Sequence, residues 1–176
     1  MEAEQKEFDQ ILDEAQRLGY AEADPSLDID GPDTAHKTTI MASLAYGTWF
    51  GMDELHVEGI RKVTLIDIRN AAELGYAIKQ LGIIKWHDGS IQMRTHPVLV
   101  DRQCMLAKVD GVFNAVAVHG DVVGETLFYG RGAGADATTS AVIADIIDVC
   151  LNLKHQVPYR VSPFRPHTSY TESLMP

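Results

Sequence analysis

The hydrophobic period of this chain changes near residue 83, and that change limits the folds open to it. Upstream, apolar residues recur at helical spacing. From Ile84 they alternate with polar ones through Trp86, cross the dipeptide Asp88-Gly89, and resume at Ile91 and Met93. A period of two with Asp-Gly at its centre specifies two antiparallel strands joined by a tight turn. A second strand pair is expected at Phe113–Val118 and Val122–Tyr129, turned by His119-Gly120-Asp121.

Helices flank these hairpins. Phe8, Ile11, Leu12, Ala15 and Leu18 share one helical face within residues 4–18, and Gly19 suits the helix-ending position. Pro32 fits the first turn of a second helix reaching about Phe50. Thr64 and Asp67 form a capping-box pattern that opens a third, expected to end near Gly82. An apolar helix is expected from Thr139 to Leu151. This order predicts an α+β fold: a mostly antiparallel or mixed sheet with helices packed on one face. A free-standing dinucleotide-binding domain is excluded on pattern, because no early strand runs into GxGxxG with an acid about 20 residues on.

Composition narrows the function classes. With 176 residues, 45% hydrophobic and 23% charged, the chain can bury a core and is not wholly disordered. A net charge of −10 with no basic stripe argues against nucleic acid as a partner. No apolar run approaches the roughly 18 residues of a membrane helix, and Met1 opens onto charged residues unlike a signal peptide. The cytoplasm is the default location. Cys104 and Cys150 lack the spacing of a zinc site or a disulfide framework. Residues 1–152 read as one domain. Residues 153–176 carry four prolines and no periodicity, and read as a linker or a loose wrapping arm.

The segment from Glu22 to Lys37 carries the chemistry. Asp24, Asp28, Asp30 and Asp33 crowd into ten positions, and such like-charge density requires a metal ion, a cationic ligand or a basic side chain to offset it. Ser26-x-Asp28-x-Asp30-Gly31 resembles the start of a calcium loop, but Ser26 and Lys37 occupy the places of two essential acidic ligands. Calcium is therefore rejected. Asp33 and Lys37, four apart, share a helix face, and Lys37 stands on a stripe with Ile40, Met41 and Leu44 that is expected to enter the core. A lysine so placed, flanked by carboxylates, can serve as a proton donor or acceptor. The plainer alternative is a surface Asp–Lys helix pair. Gly130, Gly132 and Gly134 precede a helix whose free amides could hold a phosphate, or simply permit a turn. Asn114 and Glu125 are either polar ligands or residues of a solvated sheet face.

Taken together, these segments resemble homoserine dehydrogenase over nearly all of residues 4–152. The stretch Gly19-Tyr-Ala-Glu22-Ala-Asp24-Pro25, then Asp28, then Gly31-Pro-Asp33-Thr-Ala35-His-Lys37 is similar to the family's signature. Gly130-Arg-Gly-Ala-Gly134 with Ser140-Ala-Val142 resembles a second landmark, and Pro97, Leu106-Ala107 and Asn114-Ala115 fit between them. The resemblance implies interconversion of L-aspartate 4-semialdehyde and L-homoserine with NAD or NADP, on the route to threonine, methionine and isoleucine. It implies Lys37 as the catalytic residue and Glu22, Asp28 and Asp33 as substrate ligands. Gly19 and Gly130, Gly132 and Gly134 would face the cofactor, and the sheet would pair two subunits into a homodimer. No metal is assigned.

The departures also matter. The family's dinucleotide-binding domain and a further lysine near the site have no counterpart in this sequence, so tight cofactor binding and turnover by this chain alone are not expected. The competing reading is a non-enzymatic module that pairs through its sheet, its acidic loop merely solvated. The enzyme reading expects Lys37 within reach of Asp33 in a concave site lined by Glu22 and Asp28. The module reading expects Lys37 to project into solvent away from those acids.

Overall fold

The computed structural model describes residues 1, 4, 6–17, 22–132, 134–157 and 163–165. They fall into two compact units, Met1–Asp101 with Pro163–Pro176, and Arg102–Ser162.

In the first unit the Asp-Gly signal is realised in full. Strands β2 (Tyr76–His87) and β3 (Ser90–Asp101) pair antiparallel along their whole length, with Ile84 opposite Met93 and Trp86 opposite Ile91. Asp88 and Gly89 take φ of 48° and 83°, the two left-handed residues that a two-residue turn needs to match strand twist. A short strand β1 (His56–Val57) joins β3 in parallel, giving the order β1-β3-β2. Nothing periodic in two residues could have announced it.

Three α-helices precede β1: α1 (Phe8–Arg17), the single turn α2 (Ser26–Ile29) and α3 (Pro32–Tyr46). A fourth, α4 (Leu65–Glu73), follows β1. Helix α3 lies on the sheet through small side chains: Ala35, Thr38, Thr39, Ala42 and Ser43 are its buried residues. Gly82 of β2 sits directly beneath, where a Cβ would overlap the Thr38 hydroxyl. That hydroxyl donates to Thr34 O at 2.7 Å and lies 3.4 Å from Thr95 Oγ1 of β3. Ala35 and Ala42 join Phe50, Leu55, Ile91 and Met93 in one core cluster.

The stripe through Ile40, Met41 and Leu44 does not form the core face. Ile40 and Leu44 are 56% and 53% exposed. The flat surface around Gly82 admits alanine, serine and threonine at contact distance, so the bulkier stripe turns away. Helix α3 also stops at Tyr46, short of Phe50. Gly47 takes φ 66°, its amide donating to Ser43 O, while Ser43 Oγ accepts from Phe50 N at 3.1 Å. The chain thereby folds back and delivers Phe50 to the core.

The capping box at α4 forms as expected, Asp67 N donating to Thr64 Oγ1 at 3.2 Å and Thr64 N to Asp67 Oδ2 at 2.8 Å. The helix ends at Glu73 and not near Gly82. Gly75 adopts φ 84°, and residues 76–82 enter β2 opposite 95–101. Cross-strand pairing overrides the helical apolar spacing there. Near the chain end, Arg165 N donates to Gly47 O at 2.9 Å and Phe164 packs its ring 6.1 Å from Trp49. Leu18, Gly19 and most of the tail lie outside the described residues.

The second unit holds strands β4 (Phe113–Gly120) and β5 (Gly124–Arg131), antiparallel, and helix α5 (Ala135–His155). Gly120 pairs with Gly124, so the turn spans 121–123 and not 119–121. Gly124 at φ 78° supplies the left-handed residue that closes such a loop. Helix α5 exceeds the expected 139–151 at both ends and runs past residue 152. No helix among the described residues is long and apolar enough to cross a membrane.

Gly82→Ala is expected to destabilise the first unit by about 1–3 kcal/mol, the range for forcing a methyl into a packed contact. Chemical denaturation checks it; an unchanged midpoint would mean α3 does not rest on β2 at this point.

Candidate active site around Lys37

The acidic segment is folded by its own short-range hydrogen bonds. Asp24 Oδ1 accepts from Ser26 N at 3.1 Å, and Asp30 N donates to Ser26 O at 3.0 Å, closing α2 where a plain loop was expected. Bonds from the Ser26 hydroxyl and amide hold the Asp24 carboxyl below its ordinary range. Gly31 then takes φ 97° with its α-carbon against the sheet: a Cβ would meet Val57 Cγ1 at 3.1 Å and Gln80 Nε2 at 3.2 Å. This left-handed hinge turns the chain into α3, with Pro32 in its first turn.

Lys37 Nζ donates to Asp33 Oδ2, one turn back on α3. The expected pair forms, but its setting differs from the expected one: the Lys37 side chain is 59% exposed, not directed into the core. Glu22 and Asp28 are exposed as well. Glu22 accepts from Gln16 Nε2 through its backbone oxygen at 2.9 Å, and Asp28 sits in α2. Among the described residues, neither carboxylate is paired to Lys37. A shallow cleft in this unit, lined by Glu58, Lys62, Asp67, Ile78, Pro97 and Leu99, contains none of the four candidate residues.

Of the three ways to offset the acidic loop, the structure shows a basic side chain. Arg61 Nε and Nη2 donate to Asp30 Oδ1 and Oδ2 at 2.7 and 2.8 Å. The pair holds the Asp30 carboxyl below its usual range and raises Arg61, to which the charge of Asp24 adds. Arg61 lies 31 positions from Asp30, beyond any local spacing rule, so sequence reasoning missed it. Gln80 was missed for the same reason. Its Nε2 donates to Glu58 O at 2.8 Å, and its Oε1 is buried with no partner among the described residues.

The glycine-rich segment belongs to the second unit. Gly130 closes the hairpin opposite Asn114. Gly132 donates its amide to Val112 O at 2.9 Å and packs so tightly that a Cβ would overlap the Asn114 side chain. Gly134, at φ 118°, begins α5 with no side-chain cap on the first-turn amides, an arrangement that suits a phosphate oxygen. Asp136 in that first turn opposes it. Asn114 and Glu125 are exposed on the hairpin, and Gly19 lies outside the described residues.

Comparison with known proteins agrees with the motif. A family model described as homoserine dehydrogenase matches residues 1–147. The chain is 48% identical over 173 residues to the homoserine dehydrogenase of Neisseria gonorrhoeae, covering 96% of this chain and 39% of that protein. The Helicobacter pylori enzyme is 49% identical over 167 residues, with 92% and 39% covered. The crystal structure of a homoserine dehydrogenase from Thiobacillus denitrificans superposes with a TM-score of 0.87 at 48% identity, over 92% of this chain and 38% of that one. A hyperthermophilic archaeal homoserine dehydrogenase mutant in complex with NADPH matches with a TM-score of 0.65 at 32% identity, covering 84% and 41%. The chain thus spans about 39% of the length of the curated relatives it matches.

The chain shares its α+β architecture with the solved structures it matches. It belongs to the homoserine dehydrogenase family.

Because the folded Asp30 carboxyl is depressed, its contribution to stability is complete above the ordinary aspartate range and is lost as pH falls through the folded value. Because both partners are about half exposed, Asp30→Asn should change the acid limb of a melting-temperature profile only slightly. An NMR titration of Asp30 should give a midpoint below ordinary aspartates that returns to their range in Arg61→Gln. Identical midpoints in the two proteins would contradict the pairing.

Proposed function

We propose that this chain forms the substrate-binding part of an enzyme interconverting L-aspartate 4-semialdehyde and L-homoserine, in the cytoplasmic synthesis of threonine, methionine and isoleucine. The observation that carries the reading is the Asp33–Lys37 pair at the first turns of α3, following a loop that carries Glu22 and Asp28, in a chain of this family. An amino-acid substrate brings an ammonium group, which carboxylates of that loop can hold through charge-assisted hydrogen bonds. Reduction of an aldehyde carbon leaves an oxyanion that needs a proton. Lys37 donates it, and Asp33 keeps the ammonium group of Lys37 oriented. In the reverse direction Lys37 takes the hydroxyl proton.

NADH or NADPH supplies the hydride when bound. Gly19, Gly130, Gly132 and Gly134 are assigned to cofactor contacts by the resemblance, and the uncapped start of α5 at Gly134 is the local feature that fits a phosphate. Positioned proton transfer needs a site closed to bulk water. The greater part of the relatives' length lies outside the span matched here, enough chain to provide that cover. Pairing of two subunits through the sheet is supported by Val116, Val118 and Phe128, exposed apolar residues of β4 and β5.

One observation favours the second reading, a non-enzymatic module: the exposure of Lys37. Calorimetric titration of this chain with L-homoserine separates the two. Saturable binding that Glu22→Gln weakens about tenfold or more, as for a lost charged hydrogen bond, supports the enzyme reading; no heat of binding supports the module. In the complete enzyme, Lys37→Ala should cut turnover by about 10²–10⁴ with the fold intact. Near-normal turnover would remove the proton-donor role.

A further inference from the structure

The pair between Arg61 and Asp30 is out of proportion to any part it plays in holding the fold together. Both side chains are about half exposed, 52% and 41%, and an exposed ion pair adds little to global stability. Yet its geometry is specific, two parallel hydrogen bonds that fix the plane of the guanidinium against the carboxylate. Two further contacts act on Asp30 and its neighbour Ile29. Ile60 N donates to Ile29 O at 2.7 Å. Gly59 lies so close that any Cβ would overlap Ile29 O and the Asp30 backbone.

The segment from Glu58 to Arg61 is itself fastened to the sheet. Glu58 N donates to Thr95 O of β3 at 2.8 Å, and Glu58 O accepts from Gln80 Nε2 of β2 at 2.8 Å. Asp30 stands between α2, which carries Asp28, and the Gly31 hinge into α3, which carries Asp33 and Lys37. A tether at Asp30 therefore governs how far Asp28 stands from the Asp33–Lys37 pair. It also occupies the Asp30 carboxylate, which would otherwise compete for Lys37 or for a cationic ligand.

We infer that Arg61 is a positioning residue: by clamping Asp30 it sets the spacing of Asp28 from Asp33 and Lys37, and so the selectivity of the loop for the ammonium group of an amino-acid substrate. This rests on the functional reading above. Arg61 touches no reacting atom and acts only through Asp30.

The test uses this 176-residue chain and compares L-homoserine with 4-hydroxybutyrate, which lacks the ammonium group, by NMR titration. Arg61→Gln should weaken L-homoserine about tenfold, the size expected for a disturbed charged contact, and leave 4-hydroxybutyrate within twofold. Asp30→Asn should do the same, and the double variant should be no worse than either single one. Arg61→Lys, which keeps the charge but loses the two-point geometry, should recover only part of the loss. Equal weakening of both ligands, or an additive double variant, overturns the inference in favour of a general structural role. If the unmodified chain binds no L-homoserine, the functional reading fails first. The clamp is then judged by the backbone amide resonances of Asp28 and Asp33, which must shift in Arg61→Gln and Arg61→Lys; resonances that stay in place overturn it as well.

Discussion

The close approach of α3 to the sheet at Gly82 decides where Lys37 can be. With no side chain at position 82, Thr38 reaches the strand surface and the helix settles on Ala35, Thr38, Thr39, Ala42 and Ser43. A helix has one inner face, and that choice consumes it. Lys37, Ile40 and Leu44 are left pointing outward. A side chain at 82 would overlap the Thr38 hydroxyl and force the helix away from the strand at this point. The outward lysine is thus a consequence of a glycine 45 positions away, through packing and not through any local preference.

The acidic loop is organised on the same sheet by polar contacts. Its backbone is folded by Asp24, Ser26 and Asp30, its hinge is a left-handed glycine pressed against Val57 and Gln80, and its charge is offset by Arg61. The result is a set of separate carboxylates beside one ion-paired lysine. Carboxylates that no basic side chain engages remain available to an incoming cation. Asp28 and Glu22 keep that availability among the described residues, while Asp30 is withdrawn from it.

How much of this was legible in the sequence follows the range of the interactions involved. Asp88-Gly89 and the Thr64–Asp67 box are signals of two to four residues, and both formed where they were expected. The Asp33–Lys37 pair, four apart, formed too. The errors lie where distant partners decide. The stripe through Ile40 and Leu44 reads as a core face until Gly82 is seen below the other side. Residues 76–82 read as helix until their partners at 95–101 claim them. Arg61 carries no local mark at all, since only the fold brings it to Asp30. In the second unit the hairpin slipped by two residues at its turn, and no described residue there reaches the buried class, so its apolar side chains had no core to set the register.

The central claim is that the start of α3 and the loop before it receive an amino acid by its ammonium group. Backbone amide shifts of the isotopically labelled chain on adding L-homoserine test this most directly. Saturating changes centred on residues 22–37, abolished when Glu22, Asp28 and Asp33 are neutralised together, are the expected result. Changes confined to other parts of the chain, or none at millimolar ligand, would contradict it.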